Sequence, residues 1–186
     1  VETFLWQCRL RNFSHRTLER YADAFRLFER FHQEHNLSCT PLTCSPEHIQ
    51  GFVWWRLRFA KAVTVNGYWR VLRTFFRWLV REGLRNDNPI EKVPEPKADE
   101  PLPKTVTEDH FAKTLQALDL SRWADLRDAA LFSLAFDSGA RLSELINLRL
   151  RDVDLQNQIA RAKGKGGKER FIYFGRVTAS LLHRYL

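Results

Sequence analysis

The sequence predicts a mainly helical protein: an N-terminal domain of four helices, then part of an α+β domain with a small β-hairpin. Three observations predict it. Apolar residues recur at helical spacing through most of the first 83 residues. Five prolines, Pro89, Pro94, Pro96, Pro101 and Pro103, crowd residues 86–105. Two β-patterned runs near the end are joined through Gly164, Gly166 and Gly167.

The first helix is short, around Glu2 to Arg11. Ser14 is placed to cap a second, running to about His35 with Leu18, Tyr21, Ala22, Phe25 and Phe28 on one face. Ser45 followed by Pro46 starts a third, which ends near Phe59. The fourth begins near Thr64, stops by Gly83, and has Tyr68, Leu72, Phe75, Phe76 and Leu79 as its core stripe. Neither helix nor central strand tolerates the proline density that follows, so residues 89–105 are expected to be a mostly extended linker between domains at 1–88 and 106–186. In the second domain Thr107 caps a helix bearing Phe111, Leu115 and Leu118. A helix from about Trp123 to Ser138 is apolar on most sides, so burial is expected, and Gly139 ends it. Leu142–Leu148 is a short helix, Asp152–Asp154 a loop, Gln158–Ala162 and Glu169–Phe174 the hairpin strands, and the last helix starts near Thr178.

Composition narrows the function. Thirty basic against 22 acidic residues give a net charge of +8, which points to an anionic partner, most simply nucleic acid. No apolar run reaches membrane-span length and no signal peptide is visible, so neither membrane nor export is expected. Cys8, Cys39 and Cys44 are an odd set without a disulfide framework, which fits a reducing compartment. His32, His35, Cys39, Cys44 and His48 cluster in sequence, but their spacing fits neither a common zinc finger nor a zinc-protease helix. No metal and no cofactor are expected. With no methionine and a last helix lacking a stop signal, the chain reads as a piece of a longer protein.

Charge concentrates on one helix. Arg70, Arg73, Arg77 and Arg81 recur at helical spacing on the fourth, and residues 56–85 hold eight basic residues against a single acid, Glu82. Solvated faces ordinarily mix signs, so this face is a nucleic-acid surface, which Arg16 and Arg20 of the second helix could join. Asn66 is either a base reader or an ordinary helix cap.

Two further cations stand in unusual places. In GARLSEL, residues 139–145, Arg141 lies between a glycine stop and a short helix. That fixes the direction of a permanently charged fork suited to phosphate oxygens, although a surface arginine in a turn fits the residues equally well. Glu144, three residues on, either orients that guanidinium or is a plain surface acid. In KGKGGKERFIYF, residues 163–174, Lys165 sits on a glycine-rich turn, where a solvated lysine is the simpler reading. Lys163, Lys168 and Arg170, with Arg161, make the hairpin phosphate-seeking. A nucleotide-binding P-loop is excluded, because Gly166 and not Ser or Thr follows Lys165.

Taken together, these segments resemble tyrosine-type site-specific recombinases, the phage-integrase and Xer-like group. The likeness rests on SHRTLERYADAFRLFERF, TVNGYWRVLRTFFRWLVREGLRNDNPIEKV, LPKTVTEDHF, SGARLSELINLRLRDVDL and KGKGGKERFIYF, in that order over nearly the whole chain. The resemblance implies a SAM-like core-binding domain followed by the N-terminal part of a catalytic domain. It also implies roles by position. Arg141 matches the first catalytic arginine, which clamps the scissile phosphate. Glu144 matches its supporting acid, and Lys165 the hairpin lysine that protonates the leaving 5′-hydroxyl. The intact protein would recombine DNA through a phosphotyrosine intermediate without metal or nucleotide, as a tetramer on paired sites of double-stranded DNA in the bacterial cytoplasm and nucleoid. The His-x-x-Arg motif and the nucleophilic tyrosine of that family do not occur in these residues: no histidine is followed three positions on by arginine, and Tyr173 and Tyr185 are misplaced for a nucleophile. The chain is therefore expected to be a monomer that binds duplex DNA without cutting it. The alternatives are a non-catalytic DNA-binding regulator, a decayed recombinase, or a helical protein-interaction module whose basic face is incidental.

Overall fold

A computed structural model describes residues 1–98 and 103–186, apart from the side chain of Lys165; Pro101 of the linker lies outside the described residues. The chain divides into two compact units, Val1–Leu102 and Pro103–Leu186.

Four helices build the first unit: α1 (Glu2–Leu10), α2 (His15–Glu34), α3 (Pro46–Leu57) and α4 (Ala62–Arg81). The local signals act as their chemistry dictates. Ser14 Oγ accepts from the Thr17 amide at the start of α2, and Pro46 opens α3, where its missing N–H costs nothing. The core is aromatic. Phe4, Phe25 and Phe75 meet edge to face at 4.9–5.9 Å, and Trp78 packs against them with its indole N–H donating to Gln7 Oε1. Phe52 and Phe76 are wholly buried, each worth about 1.5–3 kcal/mol relative to exposure.

The linker expected to be mostly extended opens with one turn. Pro89–Lys92 form a 3-10 turn whose Pro89 and Ile90, with Val93 beyond, are buried. Proline at the first position of that turn supplies a preset φ, so proline density shortens the helix without forbidding it. Two of the eight basic residues between 56 and 85 are spent inside the unit. Arg56 lies over Trp55 and Tyr68, and Arg85, 8% exposed in its side chain, donates to the carbonyls of Pro41, Leu42 and Cys44. Burial pushes the Cys44 thiol up to about 12.

The second unit contains α5 (Glu108–Gln116), α6 (Trp123–Ser138), α7 (Leu142–Ile146) and α8 (Arg176–Tyr185) with three antiparallel strands, β1 (Val153–Asp154), β2 (Ile159–Lys163) and β3 (Glu169–Tyr173), in the order β1-β2-β3. The Asp152–Asp154 stretch expected as loop thus supplies a short edge strand, Val153 pairing with Ala160. Gln158, in the left-handed region at φ 57°, turns the chain back. β2 and β3 pair from Ile159↔Tyr173 to Lys163↔Glu169, which places Ala160, Ala162 and Ile172 in the core.

Full burial of α6 is corrected. Leu126, Ala129, Ala130 and Leu134 are buried, whereas Trp123, Leu131, Phe132 and Phe136 are exposed. The helix has one covered face: it packs on α8 and the sheet, and among the described residues the opposite side meets chiefly Phe111, stacked on Phe136 at 4.1 Å. At its end Asp137 Oδ2 accepts from the Gly175 amide and the Thr178 hydroxyl, tying α8 to α6.

Candidate functional site

In the second unit the site is assembled by a chain reversal. Gly139, at φ 57°, closes α6 with its amide on the Ala135 carbonyl, a conformation that a side-chain-bearing residue adopts only at a cost. Two residues later Arg141 precedes α7, and Glu144 in the first turn of α7 reaches back to it. The Glu144 carboxylate accepts from the Arg141 amide (Oε2, 2.9 Å), the Arg141 guanidinium (Oε1, 2.9 Å) and Arg170 of β3 (Oε2, 2.8 Å). Glu144 is 1% exposed, which rules out the plain surface acid. The Arg141 side chain is 71% exposed, so its guanidinium is anchored at one nitrogen and open to solvent elsewhere. Hydrogen bonds from Arg170 and then from Arg141 hold the Glu144 carboxyl down at about 2.

The glycine turn comes to the same carboxylate. A Cβ on Gly164 would stand 3.0 Å from Glu144 Oε1 and 3.4 Å from the Lys168 carbonyl, so the backbone passes where a side chain would crowd the acid. The turn continues through Gly166 and Gly167 at φ 75° and 77°. Lys165 follows Gly164 directly; its side chain lies outside the described residues. Arg170, read from sequence as one of several hairpin cations, is instead a member of the Glu144 cluster. Arg161 is occupied by Asp152 at 2.8 Å and Glu169 at 3.7 Å, whereas Lys163 and Lys168 are exposed and without ion-pair partners among the described residues.

The first unit gathers a second set. Arg20, Asn66 and Arg70 line one cleft of about 530 Å³ with Glu95, Pro96 and Lys97. Gly67 makes this possible, because the Arg20 guanidinium lies where a side chain at that position would stand. Arg16 lines the adjoining groove with Arg20 and Tyr68. Arg77 is exposed one and two turns along the same helical stripe, by Arg11 and Arg81. Asn66 is not a cap, since α4 begins at Ala62. Its amide donates to Glu95 Oε1 (2.8 Å) and the Pro96 carbonyl (3.0 Å).

Glu95 was not singled out by its sequence. Its carboxylate takes Arg70 Nε at 2.9 Å and Arg73 Nη1 at 3.7 Å, while Arg73 also lies 4.8 Å over the Trp69 ring. Hydrogen bonds from Arg70 first and Asn66 second draw the Glu95 carboxyl below its ordinary range. Asn66, Arg70 and Arg73 thus hold an oxyanion of their own chain, and a phosphate seeking the same donors would have to compete with it. Glu95→Gln should therefore free the arginines and tighten duplex binding roughly two- to fivefold at low salt, the scale of an exposed ion pair. Fluorescence anisotropy on a labelled duplex measures it, and equal affinity for variant and parent would show that Glu95 does not compete.

Comparison with known proteins agrees in both units. The N-terminal SAM-like domain of phage integrases matches residues 4–83, and the phage integrase family matches residues 104–186. The tyrosine recombinase XerC of Staphylococcus epidermidis is 30% identical over the whole chain, which covers 62% of that relative. XerC of Chromobacterium violaceum is 40% identical over 61% of this chain and 38% of its own length. The chain thus spans about two fifths to three fifths of these relatives. Among solved structures, a lambda integrase dimer bound to a COC′ core site superposes with a TM-score of 0.75 at 19% identity, over 98% of this chain and 65% of that one, which shows the shared fold.

Proposed function

Proceeding from the premise that the chain belongs to the phage integrase family, as a tyrosine recombinase of the Xer type, we propose that it grips duplex DNA and supplies half of a strand-exchange site. The intact protein cuts and rejoins DNA at specific sites. A tyrosine oxygen attacks the scissile phosphorus, the bond to the 5′ oxygen breaks, and a 3′-phosphotyrosyl link holds the strand until the reverse attack.

The observation that carries this reading is the shared anchor at Glu144. One buried carboxylate fixes Arg141 and Arg170, and the backbone of the lysine turn passes against it. A phosphoryl transition state gains most from cations fixed before the reaction begins, since no reorganisation is then required as charge develops. Arg141 holds the non-bridging phosphate oxygens, and Glu144 positions Arg141. Lys165 gives its proton to the departing 5′ oxygen. Arg16, Arg20, Asn66, Arg70, Arg73 and Arg77 of the first unit, with Lys163 and Lys168 of the hairpin, hold the flanking backbone, and Arg170 acts through Glu144. The whole protein works as a homotetramer on paired sites in the cytoplasm, at the nucleoid, and needs neither metal nor nucleotide for the chemistry.

These 186 residues, a monomer, bind DNA without cleaving it, because they hold no His-x-x-Arg motif and no suitably placed tyrosine. Incubation with a nicked suicide duplex tests both halves of the statement. The expected result is a salt-sensitive complex whose log affinity falls linearly with log salt, without covalent adduct. A covalent protein–DNA adduct from this chain, or no binding at low salt, overturns the reading.

A further inference from the structure

Between α2 and α3 the chain makes a tight turn. The Thr40 amide donates to Thr43 Oγ1 at 2.9 Å and the Thr43 amide to the Thr40 carbonyl at 3.1 Å. Cys39 and Cys44 flank the turn. It is pinned from outside: Arg85 Nη1 donates to the carbonyls of Pro41, Leu42 and Cys44 at 2.9, 3.0 and 2.9 Å. His48, in the first turn of α3, faces back onto the same spot. In consequence the two sulfurs and a ring nitrogen of His48 all lie within 4.8 Å of one another. A tetrahedral zinc shell, with Zn–S about 2.3 Å and Zn–N about 2.0–2.1 Å, spaces such atoms roughly 3.3–3.8 Å apart. Contraction of about an ångström completes it.

A second observation lies beside this trio, outside its 4.8 Å limit. His32, 8% exposed on α2, donates its Nδ1–H to the Phe28 carbonyl at 2.7 Å, and its Nε2 is buried with no hydrogen-bond partner. An unpaired buried acceptor is costly. One ring nitrogen bound to a backbone carbonyl with the other lone pair free is the arrangement of a metal-ligating histidine. The His32 ring centroid lies 5.7 Å from that of His48. Two imidazoles on one tetrahedral ion hold their centroids roughly 5 Å apart.

We propose that Cys39, Cys44, His48 and His32 form a structural binding site for a thiophilic divalent cation, zinc by the softness of its donors. Four protein ligands leave no open position, so the ion staples the end of α2 to the start of α3 and takes no part in strand exchange. Binding releases the two thiol protons to solvent. His48 Nδ1 accepts from the Ser45 amide at 3.1 Å and lies 3.0 Å from Ser45 Oγ, so ligation through Nε2 moves the ring proton to Nδ1, where Ser45 Oγ accepts it and the amide contact is given up. The bland alternative, a Cys39–Cys44 disulfide, uses neither histidine and leaves His32 Nε2 without a partner. The expectation of no metal rested on spacing that fits no common finger, and spacing does not contain Arg85, whose grip on the turn comes from more than 40 positions away.

The chain, reduced and stripped with chelator, is titrated with Zn²⁺ and with Co²⁺. Stoichiometric uptake, the intense visible absorption of tetrahedral thiolate-bound Co²⁺, and a melting temperature raised by several degrees are expected. Cys39→Ser, His48→Gln and His32→Gln should each weaken binding at least about tenfold, since a direct ligand contributes no less than its supporting shell. Zinc-edge X-ray absorption of the parent chain, which depends on no variant folding, should report two sulfur and two nitrogen neighbours. No zinc uptake under reducing conditions, a Cys39→Ser variant that binds as the parent does, or an oxygen-dominated shell overturns the proposal. None of these readouts involves DNA, so the outcome is independent of the strand-exchange reading.

Discussion

Glu144→Gln loosens the hairpin of the second unit and flattens the acid dependence of its stability. The carboxylate accepts three hydrogen bonds, two from guanidinium groups, in a position closed to water. An amide keeps one oxygen and turns an N–H₂ donor toward donors of Arg141 or Arg170, so at least one arginine loses its partner next to a buried polar group. Hydrogen exchange resolved over residues 153–174 in the whole chain reports the change: β2 and β3 amides should exchange roughly tenfold or more faster in the variant, the scale of a lost charge-assisted hydrogen bond. The pH dependence has a definite sign. The folded carboxyl is held at about 2 against an ordinary value of 4.5, so its contribution is complete above 4.5 and is lost as pH falls from there toward 2. The parent should therefore lose protection of these strands over that window. The variant, which has nothing to titrate at this position, should lose less. Equal protection in both proteins across the window would mean that the Glu144 cluster does not hold the hairpin.

What the sequence revealed and what it hid differ in kind. Ser14, Thr107 and Gly139 act within three or four residues of themselves, and each stops or starts the helix that its chemistry implies. The aromatic core of the first unit was legible for a similar reason, since a stripe such as Leu72, Phe75, Phe76 and Leu79 has one place to go. Partners distant in sequence were not legible. Nothing local to Arg70 announces Glu95, 25 positions on, and nothing local to Glu144 announces Arg170, 26 positions on. Periodicity locates a cation on a face but does not say whether it is free. Arg70 and Arg73 meet Glu95, Arg85 is consumed by carbonyls, and Lys163 and Lys168 stand open. The apolar α6 misled because composition measures how much surface prefers burial, whereas neighbours decide how much is covered. β1 was hidden because two residues carry too little alternation to register as a strand; the pairing of Val153 with Ala160 creates it.

The largest expected effect belongs to Arg141. In the complete recombinase, Arg141→Lys should lower strand cleavage by roughly 10²–10³-fold, the cost of removing one fixed electrostatic donor from a transition state, while duplex affinity changes little. The asymmetry follows from geometry. Arg141 presents a planar fork: Nη1 is spent on Glu144 at 2.9 Å, and the remaining donors stay free in a side chain that is 71% exposed. Lysine preserves the charge but has a single nitrogen, so it must either keep Glu144 or reach the phosphate. On the proposed reading, affinity instead rests on many backbone contacts spread over α2, α4 and the hairpin, to which Arg141 adds one more. Single-turnover cleavage of a suicide duplex, with anisotropy on the same duplex, separates the two quantities. A comparable loss in both would make Arg141 a general phosphate contact, and cleavage at the parent rate would remove it from the site. The paired control is Arg77→Lys, at an exposed position of α4 in the first unit, where the charge is kept and both quantities should stay within about twofold of the parent.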